Sequence, residues 1–254
     1  MRFFVGLHHP SHAVNFERCM VSANRLKHRR SDFPAREWIM DSGAFTTVTT
    51  VGGFPHPPQE YAERVLRWSR CGHMLRAVSQ DYMCEEFALS ATGRTIEDHQ
   101  QLTVERYREL ADLCGPETIM PVLQGRSPAD YTRCVDLYGS LLPAGTWTGV
   151  GSLCRRNRAP GEVEAILLAI YRERPDLRLH GFGLKLTSLA SGIVRRLLYS
   201  ADSLAWSWAA RRQGRDANDW REARAFAAKV EGQSIQQVLD FVYEHSPKEG
   251  VANG

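Results

Sequence analysis

The chain has 254 residues, 43% hydrophobic and 24% charged, with a formal net charge of +3; this suits one large folded core and excludes disordered and collagen-like classes, while so mild a positive charge does not by itself establish a nucleic-acid partner. Six cysteines, Cys19, Cys71, Cys84, Cys114, Cys134 and Cys154, are widely spaced with no CxxC pair, which argues against a zinc ribbon or a disulfide framework. The apolar start around Phe3, Phe4 and Val5 is too short for a signal peptide and no window approaches a membrane span, so a reducing cytoplasm is the expected compartment.

In chain order, residues 3–7, 20–23, 38–40, 76–79, 119–123, 147–150, 177–183 and 200–206 read as short, largely apolar strands, the pattern of buried parallel strands. Between the later ones lie amphipathic helical patterns at 58–70, 95–113, 128–142, 160–174 and 187–198. Thr95 and Ser127 stand as N-caps before acidic first turns, and Pro128 and Pro160 suit the first helical position. Two further helices are predicted over 216–230 and 234–245, able to close the bottom or side of the fold. Eight strands alternating with helices predict a single α/β domain, a (β/α)8 TIM-type barrel with extra C-terminal helices, spanning residues 1–245, with 246–254 a flexible tail.

The strand ends carry the chemistry. Asp41-Ser42-Gly43-Ala44-Phe45, Gln80-Asp81, Leu123-Gln124-Gly125, Gly149-Val150-Gly151-Ser152 and Ser200-Ala201-Asp202-Ser203 each close or follow an apolar run with a carboxylate, an amide or glycine-exposed backbone. In such barrels the active site is built at the C-terminal ends of the strands. Asp41 and Asp202 on one rim can divide nucleophile and general acid/base between them, as displacement at an anomeric carbon requires; an Asp after a strand is also a common N-cap. Asp81 and Gln124 match the Watson–Crick edge of a flipped guanine, a carboxylate facing N1–H and the amino group and an amide facing O6; the alternative is a network that fixes loops. The glycines at 149 and 151 do not form GxGxxG, which disfavours a dinucleotide site. Of the aromatics nearby, Phe45, Tyr82, Phe182, Trp206 and Trp208, most suit the core and one or two suit base stacking. Arg155, Arg156 and Arg158, and Arg211, Arg212 and Arg215, are basic clusters after strand ends on this rim, and solvated loop charge and phosphate contact both fit them. No HxH or HExxH marks a metal site.

Taken in order, these segments resemble the tRNA-guanine transglycosylase superfamily. Asp41-Ser42-Gly43-Ala44-Phe45 is similar to its DSGG(F/Y) element, Leu123-Gln124-Gly125 to its VQG element, Gly151-Ser152-Leu153 to its GGL element, His180-Gly181-Phe182-Gly183 to its MGVG strand, and Ser200-Ala201-Asp202-Ser203 to the segment bearing its nucleophile. The closer resemblance, over about residues 3–218, is to DpdA, the DNA-guanine transglycosylases of phages and bacterial islands. It rests on segments such as Gln80-Asp81-Tyr82-Met83-Cys84-Glu85 and His180-Gly181-Phe182-Gly183-Leu184-Lys185.

The resemblance implies Asp202 as nucleophile, Asp41 as general acid/base, and Asp81 and Gln124 as base readers. It implies backbone contacts from Gly151, the Ser152 N–H and the Leu153 C=O, with Phe45 and His180 sandwiching the base and Lys185 joining the basic set that meets nucleic acid. The tRNA enzymes carry a CxCxxC-plus-His zinc subdomain, whereas no cysteine follows Cys154 here. The expectation is therefore exchange of guanine in DNA for a 7-deazaguanine such as preQ0, without zinc or another cofactor. DNA and the deazaguanine base are the expected partners, with no membrane. A tRNA-type transglycosylase and a catalytically silent nucleic-acid-binding paralogue are the rival readings.

Overall fold

The computed structural model describes residues 1–156 and 159–245, with 233–245 as backbone alone. The predicted tail at 246–254 lies outside these residues. Nine parallel strands form the frame: β1 (Arg2–Leu7), β2 (Arg18–Ser22), β3 (Glu37–Asp41), β4 (His73–Val78), β5 (Ile119–Met120), β6 (Val122–Leu123), β7 (Trp147–Val150), β8 (Arg178–Gly181) and β9 (Leu198–Ser203). Their order is β5-β4-β3-β2-β1-β9-β8-β7-β6. The two outermost members are halves of one run, 119–123, parted by Pro121. Proline has no N–H to give the ladder, so β5 pairs only with β4 and β6 only with β7. The carbonyls still serve: Met120 accepts from the Ser79 N–H at 3.0 Å and Pro121 from the Gly149 N–H at 2.8 Å. The eight predicted strands thus appear as nine segments, and the barrel is closed but for the kink at Pro121.

Around it lie α1 (Ala23–Leu26), α2 (Ala44–Val51), α3 (Pro58–Trp68), α4 (Glu86–Thr92), α5 (Ile96–Cys114), α6 (Pro128–Tyr138), α7 (Pro160–Glu173), α8 (Leu186–Leu189), α9 (Gly192–Leu197), α10 (Ala205–Arg212) and α11 (Trp220–His245). Outward-facing strand residues such as Val5, Val21, Trp38, Met40, Ala77, Leu123 and Ala201 pack against these helices in the main core. Inward-facing Phe4, Met20, Ile39, Val78, Met120, Val122 and Trp147 fill the barrel. Below them Arg2 plugs the N-terminal mouth, paired with Glu37 at 2.8 Å and lying over the Phe4, Trp147 and Tyr199 rings. Among the described residues no helix is long and apolar enough to cross a membrane.

Four segments differ from the sequence expectation, each for a local reason. The strand predicted at 200–206 ends at Ser203, whose Oγ accepts the Ala205 N–H at 3.2 Å and turns the chain into α10. The helix predicted over 187–198 is two short helices, because Ser191 caps the second by accepting the Val194 N–H at 3.2 Å. Helix α2, Thr- and Val-rich and so poor in intrinsic helix propensity, is bounded by left-handed Gly43 and Gly52. The two C-terminal helices are one, α11, since the glycine at 232 costs an exposed helix only about 1 kcal/mol. Helix α11 covers the barrel side at β1, where Phe226 meets Phe3 at 6.1 Å between ring centroids.

The predicted caps form full capping boxes: Thr95 Oγ1 accepts the Asp98 N–H and Asp98 accepts the Thr95 N–H, and Ser127 and Asp130 do the same. Replacing Thr95 with Ala should lower unfolding free energy by about 1 kcal/mol. A urea melt should show the midpoint falling at unchanged slope, because α5 packs flat against α3 and the barrel and its cap feeds no other contact.

Candidate active site

Strand parity delivers the site. Side chains alternate between the two faces of a strand, so each interior position is followed two residues later by another inward one, nearer the C-terminal rim. From Phe4 this step reaches Gly6; from Met20, Ser22; from Ile39, Asp41; from Val122, Gln124; from Gly149, Gly151; from His180, Phe182; and from Ser200, Asp202. All seven line one cavity of about 460 Å3, within the ordinary range of small-molecule sites, about 300–1,000 Å3. Its floor is Met20 and Val78, and loop residues Asp81, Met83, Glu85 and Ser152 complete one wall.

Four carboxylates, Asp41, Asp81, Glu85 and Asp202, face this space, and among the described residues no lysine or arginine lines it. Burial raises the Asp41 pKa, the negative Asp202 raises it further, and hydrogen bonds from Ser22 and the Gly43 backbone hold it partly back. Burial pushes Asp81 up to about 7, opposed by the Gln124 hydrogen bond and reinforced by the Asp41 and Glu85 charges. Asp202 Oδ1 accepts the Gly183 N–H at 3.0 Å, a contact that requires Gly183 to sit at φ +63°, where a Cβ would lie 2.9 Å from that of Cys154. Beneath it His180 is fully buried, its Nε2 3.4 Å from Asp202 Oδ1 and its Nδ1 2.8 Å from Ser200 Oγ. Trp147 donates its indole N–H to the same Ser200 Oγ at 2.8 Å, while His180 Nε2, close to the carboxylate, makes no hydrogen bond to it.

Asp81 and Gln124 belong to a hydrogen-bonded chain. Gln124 Nε2 donates to Asp81 Oδ2, and Ser152 Oγ lies 2.8 Å from both Gln124 Oε1 and Glu85 Oε2. One hydroxyl proton satisfies one acceptor at a time, which leaves an acceptor for a ligand that brings donors. Ser152 is the one non-glycine residue at positive φ, +57°, among the described residues, and the Arg156 guanidinium clamps its carbonyl.

Several predicted residues sit away from the positions that the sequence implied. His180 does not line the cavity; it lies below Asp202, and Phe182, at 4.7 Å from it, presents the ring instead. Gly151 spends its N–H on Leu123 O at 2.9 Å and its carbonyl on the Tyr131 hydroxyl at 2.7 Å. Its part is space, because a Cβ there would fall 2.2 Å from Gln124 Nε2. Leu153 is buried in the main core and its carbonyl accepts the Arg156 N–H at 3.0 Å. Phe45 stands half-exposed on the rim beside Phe87.

Of the basic residues, Arg156 turns inward, bound to Ser152 O and to Arg126 O at 2.5 Å, and so fixes the loop rather than facing solvent. Arg155 lies over Phe87 and Phe45. Lys185 and Arg212 flank Trp208, Arg211 is exposed on α10, and Arg215 pairs with Glu222. Arg158 lies outside the described residues. Glu85, Met83, Ser22 and Leu204 also line the cavity, with no role foreseen for them from sequence; Glu85 is reached through a loop, where no periodicity signals it.

A parallel α/β barrel with acidic side chains gathered at its C-terminal rim defines a barrel enzyme. The DpdA family, deoxypurine in DNA protein A, matches residues 1–218, and the chain belongs to that family, whose members are transglycosylase-type enzymes of DNA modification. No curated protein matches the chain.

The raised Asp81 pKa has a stability consequence. The folded state holds this proton up to about pH 7 while the unfolded chain releases it near the ordinary carboxyl value of 3.8. Stability therefore falls as pH rises from about 4 to about 7. Asp81→Asn should flatten that fall, so its gain in melting temperature should grow across this window and be largest above pH 7, read from thermal melts between pH 4 and 8. A gain that does not vary with pH would contradict the assignment.

Proposed function

We propose that the protein exchanges guanine in DNA for a 7-deazaguanine such as preQ0 through a covalent aspartyl-glycosyl intermediate. Asp202 attacks C1′ of a deoxyguanosine extruded into the cavity, the C1′–N9 bond breaks, and Asp41 supplies the proton that the departing guanine needs. The incoming deazaguanine enters the same space, Asp41 takes its N9 proton as N9 attacks C1′, and the bond to Asp202 breaks. Protons balance over the cycle, and one glycosidic bond replaces another, so the reaction draws on no ATP, redox cofactor or zinc.

The observation that carries this reading is that Asp41 and Asp202 face one cavity with the Asp81–Gln124 pair on its wall. The upward shift of Asp41, caused first by burial, moves the group toward the range in which a carboxyl can give a proton and take it back. Asp81 in its charged form accepts from N1–H and the amino group together, an arrangement adenine does not offer. Phe182 and the rim ring of Phe45 supply flat apolar contacts for the base, in place of the His180 stacking that the sequence suggested.

Labelled guanine incubated with DNA and with tRNA tests the proposal. DNA should take up label and tRNA should not, with no effect of chelators. Asp202→Asn should lose exchange by a thousand-fold or more. Asp41→Asn should slow turnover, since both guanine departure and deazaguanine attack lose their proton carrier, and any denaturant-stable protein–DNA adduct on denaturing gels should be absent when Asp202 is also replaced. Wild-type exchange by Asp202→Asn, an adduct that survives its loss, or labelling of tRNA alone would overturn the reading.

A further inference from the structure

Two aromatic clusters with cations over their rings stand at the cavity mouth. Trp208 on α10 is 53% exposed, with Lys185 Nζ 5.3 Å and Arg212 Cζ 4.8 Å from its ring centroid. It stands one helical turn beyond Leu204, and Lys185 stands two residues beyond Gly183; both Leu204 and Gly183 line the cavity. Phe45 is 49% exposed, 5.5 Å from Phe87, with Arg155 Cζ 4.9 Å from the Phe87 centroid. The first cluster follows β8 and β9, whereas Phe45 and Phe87 follow β3 and β4, which the strand order puts on the opposite side of the barrel, and Arg155 reaches them from the segment after β7.

Core packing does not explain Trp208. Trp206, on the same helix, is 2% exposed and donates to Gly6 O at 2.9 Å, so it is Trp206 that anchors α10 while Trp208 faces solvent. An exposed ring with two cations close to it meets the two features of a single nucleic-acid strand at once: a flat base to stack and the phosphates that flank it. Bases stacked within a duplex have no face to offer such a ring.

We propose that Trp208, with Lys185 and Arg212, is a stacking platform for an unpaired DNA base next to the target guanine, and that Phe45, Phe87 and Arg155 form its counterpart across the mouth. DNA therefore crosses the site as a single strand. This rests on the reading of the cavity as a base-exchange site on DNA, and it adds the state of the strand and the residue that holds it.

The test uses fluorescence anisotropy of a labelled thymine-only oligonucleotide, which binds without offering guanine for exchange. Trp208→Ala should weaken binding about tenfold, and Trp208→Phe should restore most of it. A strand of the same length with abasic sites should bind wild type and Trp208→Ala alike, and a matched duplex should bind more weakly than the single strand. The Lys185→Gln/Arg212→Gln double variant, which keeps the ring, should flatten the salt dependence by about 0.7 for each phosphate that it no longer neutralises. This last readout stands even if Trp208→Ala does not fold.

Unchanged oligonucleotide affinity in Trp208→Ala, an equal loss on the abasic strand, or duplex binding as tight and as sensitive to Trp208 would overturn the proposal. So would a change of sedimentation in Trp208→Ala with binding intact, which would assign the ring to a contact between copies. A protein that binds thymine strands through Trp208 and exchanges no guanine would refute the exchange reading while leaving the platform standing.

Discussion

The structure turns on one electrostatic constraint: four carboxylates share a cavity of about 460 Å3 with no cation in its lining among the described residues. For Asp41 and Asp81, burial and the neighbouring carboxylate charges both favour the protonated form and push the pKa up. Such a cavity is unfavourable to the empty protein, and it is held open by a frame that does not depend on it. The closed parallel ladder, the apolar filling below and the helix layer outside fix where each carboxylate stands before any ligand arrives.

The frame supports individual groups as well. Asp202 is oriented by the Gly183 N–H, with His180 packed 3.4 Å below it and held in turn through Ser200 and Trp147. Gln124 reaches Asp81 only because residue 151 has no side chain, and Phe182 lies over the barrel wall only because residue 149 has none, since a Cβ there would fall 2.3 Å from the Phe182 ring. These glycines act by vacating volume. Arg156, taken from sequence as a phosphate contact, ties the Ser152 carbonyl and the Arg126 carbonyl together and so holds the left-handed turn that presents Ser152.

At the cavity end of the barrel, the cations described stand on the rim. Lys185, Arg212 and Arg155 lie over exposed aromatic rings, where they meet solvent and do not neutralise the acidic interior. The separation suits a polyanion bound outside and a neutral base drawn inside. In the proposed reading, phosphates meet the cations at the mouth while the hydrogen-bond donors of the base meet acceptors at depth.

The barrel, its parallel pairing, the two capping boxes and the strand-end carboxylates were legible in the sequence, because each depends on local chemistry: short apolar runs, Ser/Thr caps three residues before an Asp, polar residues where an apolar run stops. Helix α2 was not legible, since its Thr and Val residues disfavour the helix that flanking glycines and packing impose. Nor was the division of the run 119–123 between both edges of the sheet, which follows from Pro121 and from barrel closure together. Sequence motifs put His180 beside the base and Gly151 and Leu153 in contact with it, but motif position does not say which way a side chain points. Tertiary packing decided that: His180 and Phe182 share the inward face, and their depth in the barrel put Phe182 in the cavity and His180 beneath Asp202, while Glu85 entered through a loop whose path only the neighbouring strands define. The composition of the site is thus written in the chain, whereas its depth, the shifted proton affinities and the face each ring presents arise from burial, which no single stretch of sequence contains.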